Sequence, residues 1–369
     1  MSSTCNYQHR SAQTRKWQVE MSTTEFQITL KPSGNTFKAS PDETILEAAL
    51  RQGIGLPYGC RNGACGSCKG TVTAGELDYG VYQERTLPPE EKAAGKALFC
   101  VGKACSDLTL DIKEIGGIGD IQIRTLPCRV EKVEKVAPDV AVLSLKLPAQ
   151  ERLQFLAGQY IDILLKDGKR RSYSMANAPH DDAYVQLHVR AVPEGFFSQY
   201  VFNEMRDRAI LRFEGPHGTF FLREDSDKPI IFMAGGTGFA PIKAVIEHAF
   251  FSHIDREMVL YWGCRSLQDV YMGQLAAQWA REHPQFTFIP VLSDPKTEDN
   301  WHGRTGLVHQ AILDDFENLA GYQVYACGAP IMIESGQKAF AERGLPEDEF
   351  FADSFTYAAS VMPSDAIAP

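Results

Sequence analysis

A chain of 369 residues with 44% hydrophobic and 23% charged side chains has an ordinary globular composition and room for about two to three domains. Its formal charge of −10 argues against a nucleic-acid partner, because phosphate binding needs a basic surface. No apolar stretch reaches the length of a membrane span, no cleavable leader opens the chain, and nine cysteines, an odd number, agree with a reducing compartment rather than a disulfide scaffold, so a cytoplasmic protein is expected.

Residues 1–20 are rich in Ser, Thr, Gln and Asn without apolar periodicity, which predicts a disordered or non-native extension, with Met21 as the natural initiator. A first domain is expected over 21–115. Alternation in Phe26–Leu30 predicts a strand, Pro32-Ser33-Gly34-Asn35 a turn into a second strand, and Ser40-Pro41-Asp42-Glu43 the cap of a helix running through Arg51. Cys60, Cys65 and Cys68 then follow as C-x4-C-x2-C, with Cys100 as a distant fourth. That spacing holds a plant-type 2Fe-2S cluster. Two tetrahedral irons need four thiolates, so three come from one tight loop and one from a segment folded back against it.

Gly59, Gly63 and Gly66 open the loop to strained backbone angles, and Ala64 and Ser67 keep it small. Ala97-Leu98-Phe99, just before Cys100, reads as a buried strand end. Zinc or inert thiols are the alternatives, but Cys65 and Cys68 lack the second C-x2-C or His pair of a zinc knuckle. Cys105 is expected to pack rather than ligate, and Glu76, Asp78 and Glu84 to be solvated surface. With Thr71–Leu77 as a short strand and turn and Leu108–Ile112 as a closing strand, this is an α+β unit with one helix on a mixed sheet, the ferredoxin-like (β-grasp) layout.

Gly116-Gly117-Ile118-Gly119-Asp120 breaks the pattern, so 116–124 is expected to be a linker. Over 125–226, short strands at Arg129–Val136, Val140–Leu147, Tyr160–Leu165, Arg171–Met175, Val185–Ala191 and Ile210–Glu214 predict an antiparallel β-barrel. On it, Arg171-Ser172-Tyr173-Ser174 offers a cation for a pyrophosphate, an aromatic plane for a flat ring and a hydroxyl to hydrogen-bond it. Gly195-Phe196-Phe197-Ser198 starts a helix whose free N–H groups suit the same phosphates, although taken alone it reads as a glycine turn before an amphipathic helix. His188 sits in an alternating strand and reads as structural or as a cofactor neighbour.

Over 227–355 the rhythm changes to apolar runs at Ile230–Ala234, Met258–Trp262, Phe286–Val291 and Tyr322–Ala326 between helical segments. These predict an α/β domain with a parallel sheet buried on both faces. Two glycine turns, Gly235-Gly236-Thr237-Gly238 leading to Pro241 and Cys327-Gly328-Ala329-Pro330, follow strands of that sheet and would wall one crevice. A flexible tail is expected over 356–369.

The order of cluster loop, R-x-Y-S, G-x-x-S, G-G-T-G-x-A-P and C-G-x-P resembles the ferredoxin-NADP reductase superfamily with a fused N-terminal ferredoxin. Leu56-Pro57-Tyr58-Gly59-Cys60, Lys169–Ser174 and Phe350–Phe355 look most like the CDP-6-deoxy-delta-3,4-glucoseen reductases, whose relatives include reductase components of bacterial mono- and dioxygenases. The resemblance implies that Arg171 and Ser172 contact FAD, Tyr173 stacks on the flavin and Ser174 bonds near its reactive nitrogen, with Gly195 and Ser198 completing the phosphate site. It implies that Gly235, Gly236, Thr237, Gly238 and Pro241 receive NAD(P)H, that Cys327 and Gly328 lie beside the nicotinamide, and that Phe355 covers the flavin. Arg265 and Ser266 could hold a 2′-phosphate, but Asp269 would repel one, so NADH is favoured over NADPH.

The expected function is a reductase passing single electrons from NADH through FAD and the cluster to a protein acceptor, either a pyridoxamine-phosphate sugar dehydrase or an oxygenase component. A ferredoxin-like carrier or redox sensor without reductase activity is the alternative from another class.

Overall fold

The computed structural model describes residues 25–117 and 121–356. The expected extension 1–20, residues 118–120 of the linker and 357–369 of the tail lie outside the described residues. Three large sheets follow in chain order, with a two-stranded one, Leu77–Asp78 against Lys103–Ala104, beside the first. The first has five strands in the order Thr36–Ala39, Phe26–Lys31, Leu108–Asp111, Lys69–Ala74, Lys96–Leu98. It is mixed, because Phe26–Lys31 pairs parallel with Leu108–Asp111 and antiparallel with Thr36–Ala39. Ile28 and Leu30 face one way and are fully buried; burying such a side chain is worth about 1.5–3 kcal/mol.

The helix Ile45–Arg51 lies on this core through Ile45, Leu46, Ala48 and Ala49. Its cap is Thr44 rather than the expected Ser40–Glu43 run. The Thr44 hydroxyl accepts from the Glu47 N–H at 3.2 Å while the Glu47 carboxylate accepts from the Thr44 N–H at 2.9 Å, the reciprocal T-x-x-E arrangement. Glu43 is occupied elsewhere, accepting from the Ser40 N–H and from Arg51. Cys105 is exposed, so it does not pack as expected; its strand pairing ends at Ala104.

The second sheet has six antiparallel strands in the order Arg170–Ser174, Tyr160–Leu164, Ile210–His217, Arg124–Ala137, Val140–Lys146, Val185–Arg190. A bridge between Met175 and Leu187 joins its two ends, closing the barrel. The strand expected over Arg129–Val136 begins five residues earlier, at Arg124, inside the expected linker. Residues Arg124–Arg129 pair with Ile210–Gly215, so the added length serves a second neighbour that local alternation does not reveal.

The third sheet is parallel throughout, in the order Arg304–Thr305, Phe286–Leu292, Met258–Cys264, Ile230–Gly235, Gln323–Gly328, Phe350–Ser354. Its central strands carry near-continuous apolar runs because alternate residues enter different cores. Ile230, Phe232 and Ala234 belong to one cluster, with Trp262 and Tyr325, and Ile231 and Met233 to the other, with Tyr261 and Val324. The chain begins at the central strand Ile230–Gly235, builds outward to one edge, then returns to lay Gln323–Gly328 on its other side. The switch point therefore lies between those two strands, where open parallel sheets bind ligands beyond the carboxyl ends.

Candidate functional site

The barrel strand Arg170–Ser174, the carboxyl ends of the central parallel strands and the cysteine loop all reach one cleft of about 970 Å³. Arg171, Ser172, Tyr173 and Ser174 line it in sequence. The Tyr173 ring packs against Phe197 with centroids 5.4 Å apart, and burial raises its phenol pKa, keeping the ring neutral. Phe197 lies in the first turn of the helix Phe196–Asn203, whose N-cap is Gly195. Gly195 and Ser198 also line the cleft. The Ser198 hydroxyl is engaged locally, accepting from the Val192 N–H at 3.1 Å and facing the Gly195 carbonyl at 3.0 Å, so it shapes the turn that presents the helix start.

Of the residues expected to receive a nucleotide, Gly235, Gly236 and Thr237 line the cleft, whereas Gly238, Pro241, Cys327 and Gly328 are not part of its lining. Gly238 is needed for packing, because a Cβ there would stand 2.0 Å from the Cys327 carbonyl oxygen. That close approach lets the helix Phe239–Phe251 begin directly against the neighbouring strand. Cys327 is fully buried. Burial and then the charge of Asp353 push its thiol pKa well up, so the thiol is neutral.

Asp353 is the residue that sequence reasoning missed. It lies in register with Cys327 on the adjacent parallel strand, lines the cleft, and its carboxylate accepts from the Ser174 hydroxyl at 3.3 Å. Burial raises its pKa to about 6. The available signal was one carboxylate inside the apolar run Phe350-Phe351-Ala352-Asp353. Phe355 lines the cleft, its N–H donating to the Gly328 carbonyl at 2.8 Å. His188 also lines it, with Nδ1 2.8 Å from the Tyr271 hydroxyl. Burial lowers its pKa to about 3, so it is neutral and holds position.

At the far end of the cleft stand Arg265, Ser266 and Asp269. One Asp269 carboxylate oxygen accepts from both the N–H (2.9 Å) and the hydroxyl (3.0 Å) of Ser266. The hydroxyl expected for a 2′-phosphate is thus taken by the carboxylate expected to repel one.

Cys60, Cys65, Cys68 and Cys100 converge. Cys60 is within hydrogen-bond reach of Cys65 and Cys100, and Cys100 of Cys68. Backbone N–H groups point at the sulfurs, Cys60 N–H at Cys65 Sγ and Ala64 N–H at Cys60 Sγ, each at 3.4 Å. Gly63 has φ +73°, and a Cβ there would meet the Tyr82 Cα at 2.9 Å. This donor set fits a 2Fe-2S cluster: four sulfurs from one loop and one returning strand end, with amides that offset thiolate charge. Gly59, Cys60 and Asn62 line the same cleft as Tyr173 and Ser174.

Three family models match in the same order as the sheets: a 2Fe-2S iron-sulfur cluster binding domain over residues 28–105, an oxidoreductase FAD-binding domain over 127–222 and an oxidoreductase NAD-binding domain over 232–338. The chain is 43% identical over 328 residues to the CDP-6-deoxy-L-threo-D-glycero-4-hexulose-3-dehydrase reductase of Yersinia pseudotuberculosis, covering 89% of this chain and 98% of that one. It is 35% identical to the phenol hydroxylase P5 protein of Acinetobacter pittii, covering 90% of this chain and 95% of that one. Among solved structures, a cytochrome P450 reductase of Amycolatopsis superposes with a TM-score of 0.75 at 35% identity, covering 90% of this chain and 99% of that chain. The FAD- and NAD-binding matches set aside the alternative of a carrier without reductase activity. Among the described residues, no helix is long and apolar enough to cross a membrane.

Proposed function

This chain belongs to the family of iron–sulfur flavoprotein reductases that move electrons from NAD(P)H to an acceptor, and from that premise we propose how its own residues divide the work. The observation that carries the reading is the shared cleft, where the Arg171–Ser174 strand, the Gly235–Thr237 turn and the Gly59–Asn62 loop form walls of one space. FAD, when bound, takes a hydride from the nucleotide and releases its electrons one at a time. Arg171 would neutralise its pyrophosphate, Tyr173 would hold the ring plane, and Ser174, tethered to Asp353, would address the reacting edge. The glycine turn would receive the nicotinamide nucleotide, with NADH preferred because Asp269 faces the ribose end. Cys60, Cys65, Cys68 and Cys100 would hold the cluster.

The division into 21–115, 125–226 and 227–355 is part of this reading, with the barrel entered at Arg124, as is a cytoplasmic location. For the acceptor, we propose a pyridoxamine-phosphate sugar dehydrase, supported by 43% identity across nearly the whole of the Yersinia reductase. An oxygenase component is the second reading, supported by 35% identity to the phenol hydroxylase protein. Anaerobic mixing of NADH with the purified holoprotein and each class of acceptor tests both. Turnover of a CDP-hexulose dehydrase at a rate matching cluster reoxidation is expected; delivery to an oxygenase component alone refutes the sugar assignment.

A further inference from the structure

The loop carrying Cys60 is fastened to the barrel from three sides. The Tyr160 hydroxyl donates to the Gly59 carbonyl at 2.7 Å. The Thr219 hydroxyl accepts from the Tyr58 N–H at 3.0 Å and lies 2.9 Å from the Tyr58 carbonyl. The third fastening is ionic. Arg61, held in the left-handed region at φ +59°, places its guanidinium on one carboxylate oxygen of Asp162. Asp162 is 1% exposed, and its other oxygen accepts from the Ser172 hydroxyl at 2.6 Å. A single buried carboxylate therefore ties the residue after Cys60 to the residue before Tyr173.

Asp162, Glu214 and His217 by themselves have the spacing of a metal site. The two arginines rule that use out. Arg170 donates to both oxygens of Glu214 and lies 3.7 Å from Asp162. Two anions thus face two cations, and all four carboxylate oxygens are occupied. Such a pair adds little net stability over apolar packing, but losing one partner strands a buried charge, so it suits fixing a geometry.

We infer that Asp162 and Arg61 are positioning residues that hold the cluster loop against the flavin strand and thereby set the rate of electron passage between the two cofactors. This rests on the assignment of FAD to the Arg171–Ser174 strand and of the cluster to the four cysteines. The step is a one-electron transfer: one ferric iron becomes ferrous for each electron that leaves the reduced flavin, and the hydrogen taken up as hydride would leave to solvent as a proton once both electrons have gone.

The test uses the full-length holoprotein with R61Q, R61K and D162N. Ferricyanide reduction reads hydride entry, stopped-flow absorbance reads cluster reduction, and hydrogen exchange over residues 58–63 reads how firmly the loop is held. R61Q and D162N should slow cluster reduction by about ten-fold, leave ferricyanide reduction and the EPR signal of the chemically reduced cluster unchanged, and speed exchange over 58–63; R61K should recover most of both losses. Cluster reduction at the native rate in R61Q overturns the inference, as does a parallel loss of ferricyanide reduction or a failure of R61K to recover. Should R61Q not retain its cofactors, Y160F removes the Gly59 bond from the other side and should slow the same step alone; a native rate there is equally fatal. Wild-type protein lacking either visible chromophore would instead refute the assignment beneath it.

Discussion

Ser174 and Asp353 are 179 residues apart in the chain and 3.3 Å apart in the fold, hydroxyl to carboxylate. One comes from the barrel and the other from the last strand of the parallel sheet, so their contact joins the two surfaces between which a flavin and a nicotinamide would meet. The Asp353 carboxyl titrates near 6 because burial disfavours its charge, against an ordinary value of 3.8. A raised carboxyl favours the folded state while it is protonated, and that advantage disappears as pH rises through 6. D353N should therefore be more stable than the native protein at pH 8 by up to about 3 kcal/mol, the equivalent of the elevated pKa, with the difference vanishing below about pH 4. Urea unfolding at a series of pH values checks this; a constant difference would show that the carboxyl does not titrate as described.

The buried histidines act in the opposite sense. Burial lowers the His217 pKa from 6.5 to about 4 and the His188 pKa to about 3. The unfolded chain takes up these protons first as acid is added, so stability is full above about pH 6.5 and is lost as pH falls toward the native values, by about 3 kcal/mol for His217 alone. H217Q should flatten this acid limb in thermal melts between pH 7 and pH 4. An unchanged limb would assign the acid sensitivity to other groups.

Tyr173→Ala removes the ring that packs on Phe197. Loss of an aromatic contact of this kind is worth about 1 kcal/mol or more, so FAD should bind about five- to ten-fold more weakly. Flavin release on dilution, followed by fluorescence, measures the change; native retention would remove Tyr173 from the flavin site.

Cys100→Ser takes away the one sulfur that comes from outside the loop. The variant should lose the visible bands of the cluster and with them delivery to one-electron protein acceptors, while NADH-dependent ferricyanide reduction continues. Simultaneous loss of both activities would mean that the cluster also holds the flavin domain together.

In the proposed reading Asp269 would supply the charge at the ribose end, and its carboxylate holds Ser266. D269N should raise kcat/KM with NADPH by about five-fold, since one like-charge contact near the surface costs about 1 kcal/mol. Paired steady-state assays with NADH and NADPH decide it. No gain with NADPH would place the 2′ position elsewhere.

Much of this protein was legible because its chemistry is local. Cys60, Cys65 and Cys68 lie on one turn of chain, and a loop that wraps iron must bring its ligands within a few residues of each other. Arg171 to Ser174 are consecutive, and the apolar runs of the third sheet announce two buried faces without any knowledge of their neighbours. The helix cap at Thr44 was misplaced by the competing Ser40–Glu43 run, where Glu43 is drawn off by Arg51. The tight packing at Gly238, where a Cβ would stand 2.0 Å from the Cys327 carbonyl oxygen, joins the turn after one strand to the end of another and could not be read locally.

From the order of residues alone came the cluster ligands, the three-part architecture and the class of electron carrier, since each depends on spacing or periodicity within a short segment. Tertiary structure alone decided that Asp353 reaches Ser174, that Asp162 joins Arg61 to Ser172, and which glycines face the cleft. Those contacts span 100 residues or more, or depend on which side of a strand meets a neighbour. Such meetings follow from how separate sheets pack against each other, and no local pattern of side chains encodes them.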